Sequence, residues 1–190
     1  MQKPIHYDFY RLAGHEPTPL SFIRKLWVPG FRYLFVYRAI QSSRLKLVRF
    51  FLKAILRHYQ FKFGYQIPSS TKIGSGLLLG HFGIIIINSK AVIGKNCNIA
   101  AGAVIGAASR GPKKGSPTIG NNVWIGVNAI IVGNIDVGNN VLIAPGSYVN
   151  NDVPSDSLVI GNPGVIKSKT DATAGYINKV YGGQANQRGI

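Results

Sequence analysis

His81 is the residue of this 190-residue sequence whose type and position best suit proton transfer. It is the only one of the four histidines within the Ile-, Val- and Gly-rich central part of the chain, and Gly80 and Gly83 flank it. A neutral imidazole on an exposed loop can take a proton from a hydroxyl at physiological pH. His81 is therefore a candidate general base, although a histidine in an ordinary surface loop has the same local pattern.

The composition gives little support to other kinds of active site. The one cysteine, Cys97, stands among small residues and is typical of a buried structural thiol. A single cysteine also excludes a disulfide framework or a multi-cysteine metal site. No carboxylate lies between Glu16 and Asp136, which argues against catalysis by a carboxylate pair. A zinc hydratase would need several histidines in the central part, so we expect no metal.

The charge balance predicts affinity for phosphate groups. Lys and Arg number 22 against six acidic residues, a formal net charge of +16. Nucleic acid, anionic lipid and phosphorylated ligands all attract such a chain. We find no secretory-leader pattern and no run of about 18 uncharged apolar residues. Together with the single cysteine, which suits a reducing compartment, these features predict a cytoplasmic location.

A six-residue period organises residues 65–167. With two interruptions, every sixth residue is aliphatic: Ile67, Ile73, Leu79, Ile87, Ile93, Ile99, Ile105, Ile119, Ile125, Ile131, Val137, Ile143 and Val149. Six residues make a short strand and a corner, and three hexads make a triangular coil whose aliphatic side chains stack inside, about 4.8 Å apart. The pattern predicts an all-β parallel β-helix of about five coils. An ordinary parallel sheet would need crossover helices, for which there is no room.

The hexads resemble those of a known enzyme family. The Ile-Gly-x-x-x-x units, the break at His81, the Gly-rich insertion at 106–117 and the closing segment 159–169 resemble the hexapeptide-repeat acyltransferases. The resemblance is strongest to serine acetyltransferases and to related O-acetyltransferases of bacterial surface polysaccharides. It implies a left-handed β-helix, a homotrimer, and acetyl-CoA bound between adjacent protomers. It also implies that His81 activates an acceptor hydroxyl for direct attack on the thioester.

The resemblance also assigns binding residues. The positions that match coenzyme contacts are Gly126, Val127, Ala144, Pro145, Asn162, Pro163 and Lys167. The insertion carries three cations that can meet coenzyme phosphates, Arg110, Lys113 and Lys114. Counting strands places His81 and the insertion on different edges of the prism. The site is therefore expected to be shared, with the insertion of one protomer walling the site of its neighbour.

Four positions depart from the serine acetyltransferase pattern. Gly80 stands where that family has an aspartate before the catalytic histidine, and Gly115 and Ser116 stand where it has an arginine and a second histidine. Gln66 replaces a carboxylate that orients the base, and its amide oxygen can still fix the imidazole tautomer. An uncharged hydroxyl, such as a sugar of a surface polysaccharide or its lipid-linked precursor, is the predicted acceptor. Serine O-acetylation in cysteine biosynthesis is the alternative.

The segments outside the repeat predict an N-terminal arm and basic amphipathic helices over residues 1–64 and a polar tail over residues 168–190. Residues 20–64 contain ten Lys or Arg and no acid, and a helix there carries a basic stripe at 46, 49, 53 and 57. Aromatic residues mixed with cations favour a peripheral position on the anionic inner face of a membrane, or a cap packed on the prism or trimer. A non-catalytic membrane or nucleic-acid scaffold is the alternative of another class, although no known nucleic-acid module is present.

Overall fold

The N-terminal part of the chain is helical. The computed structural model describes residues 3–181, and the part before residue 64 forms α1 (Pro4–Ala13), α2 (Pro19–Lys25), α3 (Pro29–Ser42) and α4 (Lys46–Phe63). Proline occupies the first turn of α1, α2 and α3, where its missing N–H leaves no hydrogen bond unmade. α4 ends at Gly64, whose φ of +77° is a conformation that glycine adopts without strain. The predicted helical segment is confirmed.

Residues 65–168 wind into a parallel β-helix with three faces, each a sheet of short stacked strands. Face A contains β1 (Tyr65–Gln66), β4 (Ile85–Ile87), β7 (Val104–Gly106), β10 (Ile130–Val132) and β13 (Tyr148–Val149). Face B contains β2 (Lys72–Ile73), β5 (Val92–Ile93), β8 (Thr118–Ile119) and β11 (Asp136–Val137). Face C contains β3 (Leu78–Leu79), β6 (Asn98–Ile99), β9 (Trp124–Ile125), β12 (Val141–Ile143), β14 (Ser157–Ile160) and the antiparallel β15 (Val165–Ser168). The predicted β-helix of about five coils is confirmed.

The core of the β-helix is the aliphatic column that the hexad pattern predicts. Twelve of the thirteen predicted inward residues are buried, and Ile73 packs against the same cluster while half-buried. Small residues such as Cys97 and Ala103 fill the space between the large ones and are fully buried. The cluster continues into the helices through Tyr33 and Leu34. One apolar core therefore crosses residue 64, and the division of the chain into three domains stays a prediction.

Helix α3 closes the first end of the prism. The hydroxyls of Tyr33 and Tyr37 donate hydrogen bonds to the carbonyl oxygens of Ile67 and Thr71, the first at 2.5 Å. Gly30 approaches the first coil so closely that a Cβ atom there would lie 2.3 Å from the Leu79 carbonyl oxygen. The first end of the β-helix is therefore capped by close backbone contact as well as by aromatic side chains.

Helix α1, expected from the sequence as part of a short arm, is fastened to the first coil by a buried ion pair. Arg38 donates from Nε to the Asp8 carboxylate at 2.8 Å, and the two side chains are 9% and 0% exposed. Asp8 Oδ1 also accepts from the backbone N–H groups of Gly76 and Leu77 at 2.8 and 2.9 Å. Arg11, also buried, donates to the side-chain oxygen of Asn98 at 2.8 Å. Helix and coil therefore form one packed unit.

The predicted polar tail returns to the β-helix over its described part. Ala172 and Thr173 are buried, and the Thr173 hydroxyl donates to the Asn140 side chain at 2.6 Å. Residues 182–190 of the predicted tail lie outside the described residues. Among residues 3–181, no helix has the length and apolar character needed to cross a membrane.

Candidate active site

His81 projects from a bulge between β3 and β4, at the edge where face C turns into face A. The residue is exposed, and the backbone that follows it is anchored. The N–H of Gly83 donates to the Phe63 carbonyl oxygen at 3.0 Å, and that of Ile85 donates to the Gly64 carbonyl oxygen at 3.1 Å. The sequence thus places an accessible imidazole on a loop whose backbone is fixed by the preceding segment.

Tyr65 makes the direct contact with His81, and sequence reasoning missed it. Its ring is fully buried and packs edge-on against Tyr33 with centroids 5.3 Å apart. Its hydroxyl donates to the carbonyl oxygen of His81 at 3.0 Å. Burial raises the pKa of Tyr65 to about 12, so the hydroxyl remains a donor at neutral pH. In the sequence, Tyr65 has only the pattern of an inward-facing core residue.

Gln66, the predicted partner of the imidazole, points outward from β1 next to Ile86 of β4. It lies in the same segment that holds the bulge, but the described hydrogen bonds include none between its amide and His81. Gln66 instead lines an open cleft of about 680 Å³ between α4 and face A, with Gln60, Asn88 and other residues. Its assignment as an orienting residue stays a prediction.

The positions that the resemblance assigns to the coenzyme lie on the same edge as His81. Leu79, Ile99, Ile125, Ile143 and Val159 stand directly above one another on face C. Two residues after three of these come His81, Val127 and Pro145, each preceded by a small residue, Gly80, Gly126 or Ala144. At about 4.8 Å per coil, three coils place Pro145 roughly 14 Å along the axis from His81.

The far end of this edge is formed by the turn between β14 and β15. That turn contains Asn162 and Pro163, and Gly164 N–H donates to the Tyr148 carbonyl oxygen at 2.8 Å. Lys167 lies opposite Leu158 on β15 and is exposed. All the predicted coenzyme positions are therefore on or near the edge that carries His81.

The insertion forms a small hairpin on a different edge, where face A turns into face B. Ala108 and Gly115 exchange backbone hydrogen bonds of 2.9 and 3.0 Å. Lys113 pairs with Asp152 at 3.1 Å, whereas Arg110 and Lys114 are exposed. Within one protomer, the hairpin and His81 lie on separate edges, as the strand count predicts.

Ser116 lies at the base of this hairpin, and its hydroxyl donates to the Asn88 side-chain oxygen at 3.0 Å. Asn88 follows β4 on face A, so Ser116 lies at the edge between faces A and B, whereas His81 lies at the edge between faces C and A. Like the cations of the hairpin, Ser116 is therefore away from the His81 of its own protomer.

The two glycines that depart from the serine acetyltransferase pattern differ in their surroundings. No atom lies within 4 Å of the position that a Cβ at Gly80 would take. At Gly115 the backbone has a φ of +138°, and a Cβ would lie 2.9 Å from Asn134 Cβ. A side chain therefore fits next to His81 but is strained at Gly115. Glycine is therefore the residue that adopts this hairpin conformation without strain at position 115.

Two further residues, Cys97 and Trp124, make contacts within the protomer. Cys97 is fully buried, and burial raises the pKa of its thiol to about 11. Trp124 covers face C and contacts Tyr176 with ring centroids 4.8 Å apart. Among residues 3–181, no group of three or more His, Cys, Asp or Glu side chains is arranged to hold a metal ion.

Comparison with known proteins decides the family. The family model of the bacterial transferase hexapeptide (six repeats) matches residues 116–151. The serine acetyltransferase of Helicobacter pylori is 31% identical over 167 residues, which cover 87% of this chain and 95% of that protein. The chain belongs to the serine acetyltransferase family. The same enzyme of Synechococcus elongatus is 32% identical over 86% of this chain and 68% of the relative. Serine acetyltransferase 2 of Arabidopsis thaliana is 31% identical, but the chain spans 51% of its length.

Solved structures of serine acetyltransferases share the fold. The Neisseria gonorrhoeae enzyme in complex with serine superposes with a TM-score of 0.71 at 28% identity, covering 86% of this chain and 67% of that one. The soybean enzyme complexed with serine gives 0.70 at 28% identity, covering 85% and 67%. Family membership confirms the prediction of an O-acetyltransferase and of acetyl-CoA as its cosubstrate.

Proposed function

We propose that this chain transfers an acetyl group from acetyl-CoA to a hydroxyl, with His81 as the general base. The observation that carries the proposal is an exposed imidazole on a backbone-anchored bulge, on the edge that also holds the predicted coenzyme positions. The imidazole takes the proton as the hydroxyl oxygen attacks the thioester carbon. The C–O bond forms, the C–S bond breaks, and the imidazole returns the proton to the departing thiolate.

We propose further that the working unit is a homotrimer whose sites lie between protomers. Apolar side chains are unusually exposed on the His81 edge: Phe82 is 72%, Ile84 60% and Val127 42% exposed. Such a cluster is typical of a protein interface. A neighbouring protomer on this edge supplies the hairpin residues Lys113, Lys114 and Ser116 that cannot reach His81 within one chain. Light scattering is expected to give three times the chain mass.

Serine is the acceptor that the comparisons favour. The relatives carry the name serine acetyltransferase, and the neighbouring Neisseria and soybean structures contain serine. Serine O-acetylation, the alternative from the sequence, therefore has more support from relatives than a polysaccharide acceptor has. Family membership also removes the reason for proposing a non-catalytic scaffold.

The residues of this chain favour an uncharged hydroxyl instead. The ammonium of an amino acid needs an acidic partner, yet none of the four departing positions carries a negative charge, and the charged residues of the hairpin are all cations. At Gly115 a φ of +138° disfavours any side chain, so the arginine of the family pattern would be strained in this hairpin. We therefore propose a sugar hydroxyl of a surface glycan precursor as the acceptor, in the cytoplasm.

A thiol-release assay separates the two acceptors. Purified protein is given acetyl-CoA with L-serine, or with nucleotide sugars and short oligosaccharides, and CoA release is followed. We expect turnover with a sugar and little with serine, and a loss of about 10²–10⁴-fold for His81→Ala. Turnover with serine that exceeds every sugar overturns the sugar assignment. Unchanged turnover in His81→Ala overturns the role of His81.

A further inference from the structure

Helix α4 has two apolar faces, and the β-helix covers one of them. Leu56 and Phe63 are buried toward α3 and β1, with Leu52 half-buried beside them. At 100° per residue, the side opposite these positions carries four large apolar side chains. They are 59–74% exposed: Leu47, Phe50, Phe51 and Phe61. We call these four residues the outer face of α4.

A row of cations borders the outer face. Lys46, Arg49, Lys53 and Arg57 follow one another at spacings of three and four and are all exposed. The Arg57 guanidinium lies over the Phe61 ring, 4.5 Å from its centroid. The ion pairs of the described residues join Arg38 to Asp8 and Lys113 to Asp152, so none involves this row. We call these four residues the basic row.

A further exposed aromatic residue lies between α2 and α3. Trp27, which is 78% exposed, lies 5.8 Å from the Arg32 guanidinium, and the same guanidinium lies 5.9 Å from the Phe63 ring of α4. Phe63 lies on the covered side of α4, so Trp27 is a separate exposed residue and not part of the outer face. Exposed indoles are frequent in segments that lie at a membrane–water interface.

The charges decide what covers the outer face. A second copy docked two-fold through α4 would bring two basic rows together, and the chain has no carboxylate between Glu16 and Asp136 to pair with them. An anionic bilayer presents apolar chains to the outer face and phosphates to the basic row. We propose that α4 docks in the plane of an anionic phospholipid bilayer, with its outer face among the lipid chains.

Docking of α4 on a bilayer would also bring a lipid-linked acceptor close to the protein. Arg57 and Phe61 line the cleft that reaches Gln66, so the cleft opens beside the docked helix. Provided that the proposed acetyl transfer is correct, we infer that the acceptor hydroxyl belongs to a lipid-linked compound whose headgroup lies at the bilayer surface.

Vesicle flotation of the full chain tests the proposal. We expect the protein to float with phosphatidylcholine vesicles that contain phosphatidylglycerol, to stay behind with phosphatidylcholine alone, and to be released by high salt. Arg49→Glu with Lys53→Glu is expected to weaken binding about 30-fold or more. Lys90→Glu with Lys95→Glu, the same charge change at exposed positions of the β-helix, is the control and leaves most of the binding intact.

A second variant tests the apolar contact. Leu47→Ser with Phe50→Ser removes two exposed side chains and should abolish flotation while leaving the melting temperature unchanged. Absence of flotation in the unmodified protein overturns the proposal, as does a drop in oligomer mass by light scattering in this variant. Acetyl transfer to a soluble acceptor is measured separately. If the protein floats but transfers no acetyl group, the proposed reaction is contradicted. If it transfers acetyl but does not float, only the docking is contradicted.

Discussion

Removal of the Asp8 carboxylate is expected to detach α1 from the first coil. The carboxylate accepts hydrogen bonds from Arg38 and from the N–H groups of Gly76 and Leu77, and it is fully buried. In Asp8→Ala, all these donors lose their acceptor. Arg38 keeps only its bonds to the carbonyl oxygens of Ile73 and Gly74, at 2.8 and 2.6 Å, and its charge stays buried without a counter-charge.

The size of the effect follows from the burial. Leaving one partner of a buried ion pair unpaired costs about 3–5 kcal/mol. For a chain of this length each kcal/mol lowers the melting temperature by about 2–4 °C, so we expect a decrease of roughly 6–20 °C in Asp8→Ala. Asp8→Asn keeps the volume and one acceptor oxygen, and should retain part of the stability because the two backbone donors remain paired.

Thermal unfolding followed by circular dichroism, at one protein concentration, measures these differences. Asp152→Asn is the matched control, because it removes the charge of the other ion pair of the described residues, in which both side chains are exposed. Water screens that pair, so the control should unfold close to the unmodified protein. An Asp8→Ala protein that unfolds at the same temperature as the control would show that the buried pair does not hold α1 in place.

Three other predictions follow from the structure. Gly80→Ala should leave the melting temperature unchanged, whereas Gly115→Ala should lower the free energy of unfolding by about 1–3 kcal/mol, because a φ of +138° is strained for alanine. Equal melting temperatures for the two variants would contradict the difference in their surroundings. Tyr65→Phe removes the hydrogen bond to His81, and kcat in the thiol-release assay should fall about 5-fold with KM for acetyl-CoA unchanged; an effect confined to KM would contradict a positioning role. Cys97, with its pKa raised to about 11, should resist a thiol reagent at pH 8 until urea unfolds the chain; immediate labelling would show that the thiol is accessible.

The fold could be predicted because its signal is periodic and local. Each inward aliphatic residue packs in the same core column, so the six-residue spacing of Ile93, Ile99 and Ile105 predicts the three-sided coil directly. The separation of His81 and the hairpin onto different edges follows from the same count. Family resemblance then supplied the reaction class.

The contacts that fix the site could not be predicted, because they join distant parts of the chain. Asp8 and Arg38 are 30 residues apart, and nothing in their local sequence shows that they meet under the first coil. Tyr65 has the pattern of a core residue, although its hydroxyl reaches His81. For α4 the sequence predicted a basic amphipathic helix, and only packing shows that the β-helix covers one apolar side and leaves Phe50 and Phe61 outside.

Because the coils are equivalent, a chain of this kind can change in length by whole coils. Each coil touches only the coils directly above and below it, so a whole coil can be gained or lost without altering the others. The end next to His81 is locked by α1, α3 and the Tyr65 segment, whereas the opposite end is closed by the single antiparallel strand β15. A gain or loss of coils is therefore expected near the β15 end, where it would leave His81 in place but change the part of the edge that holds the predicted coenzyme positions.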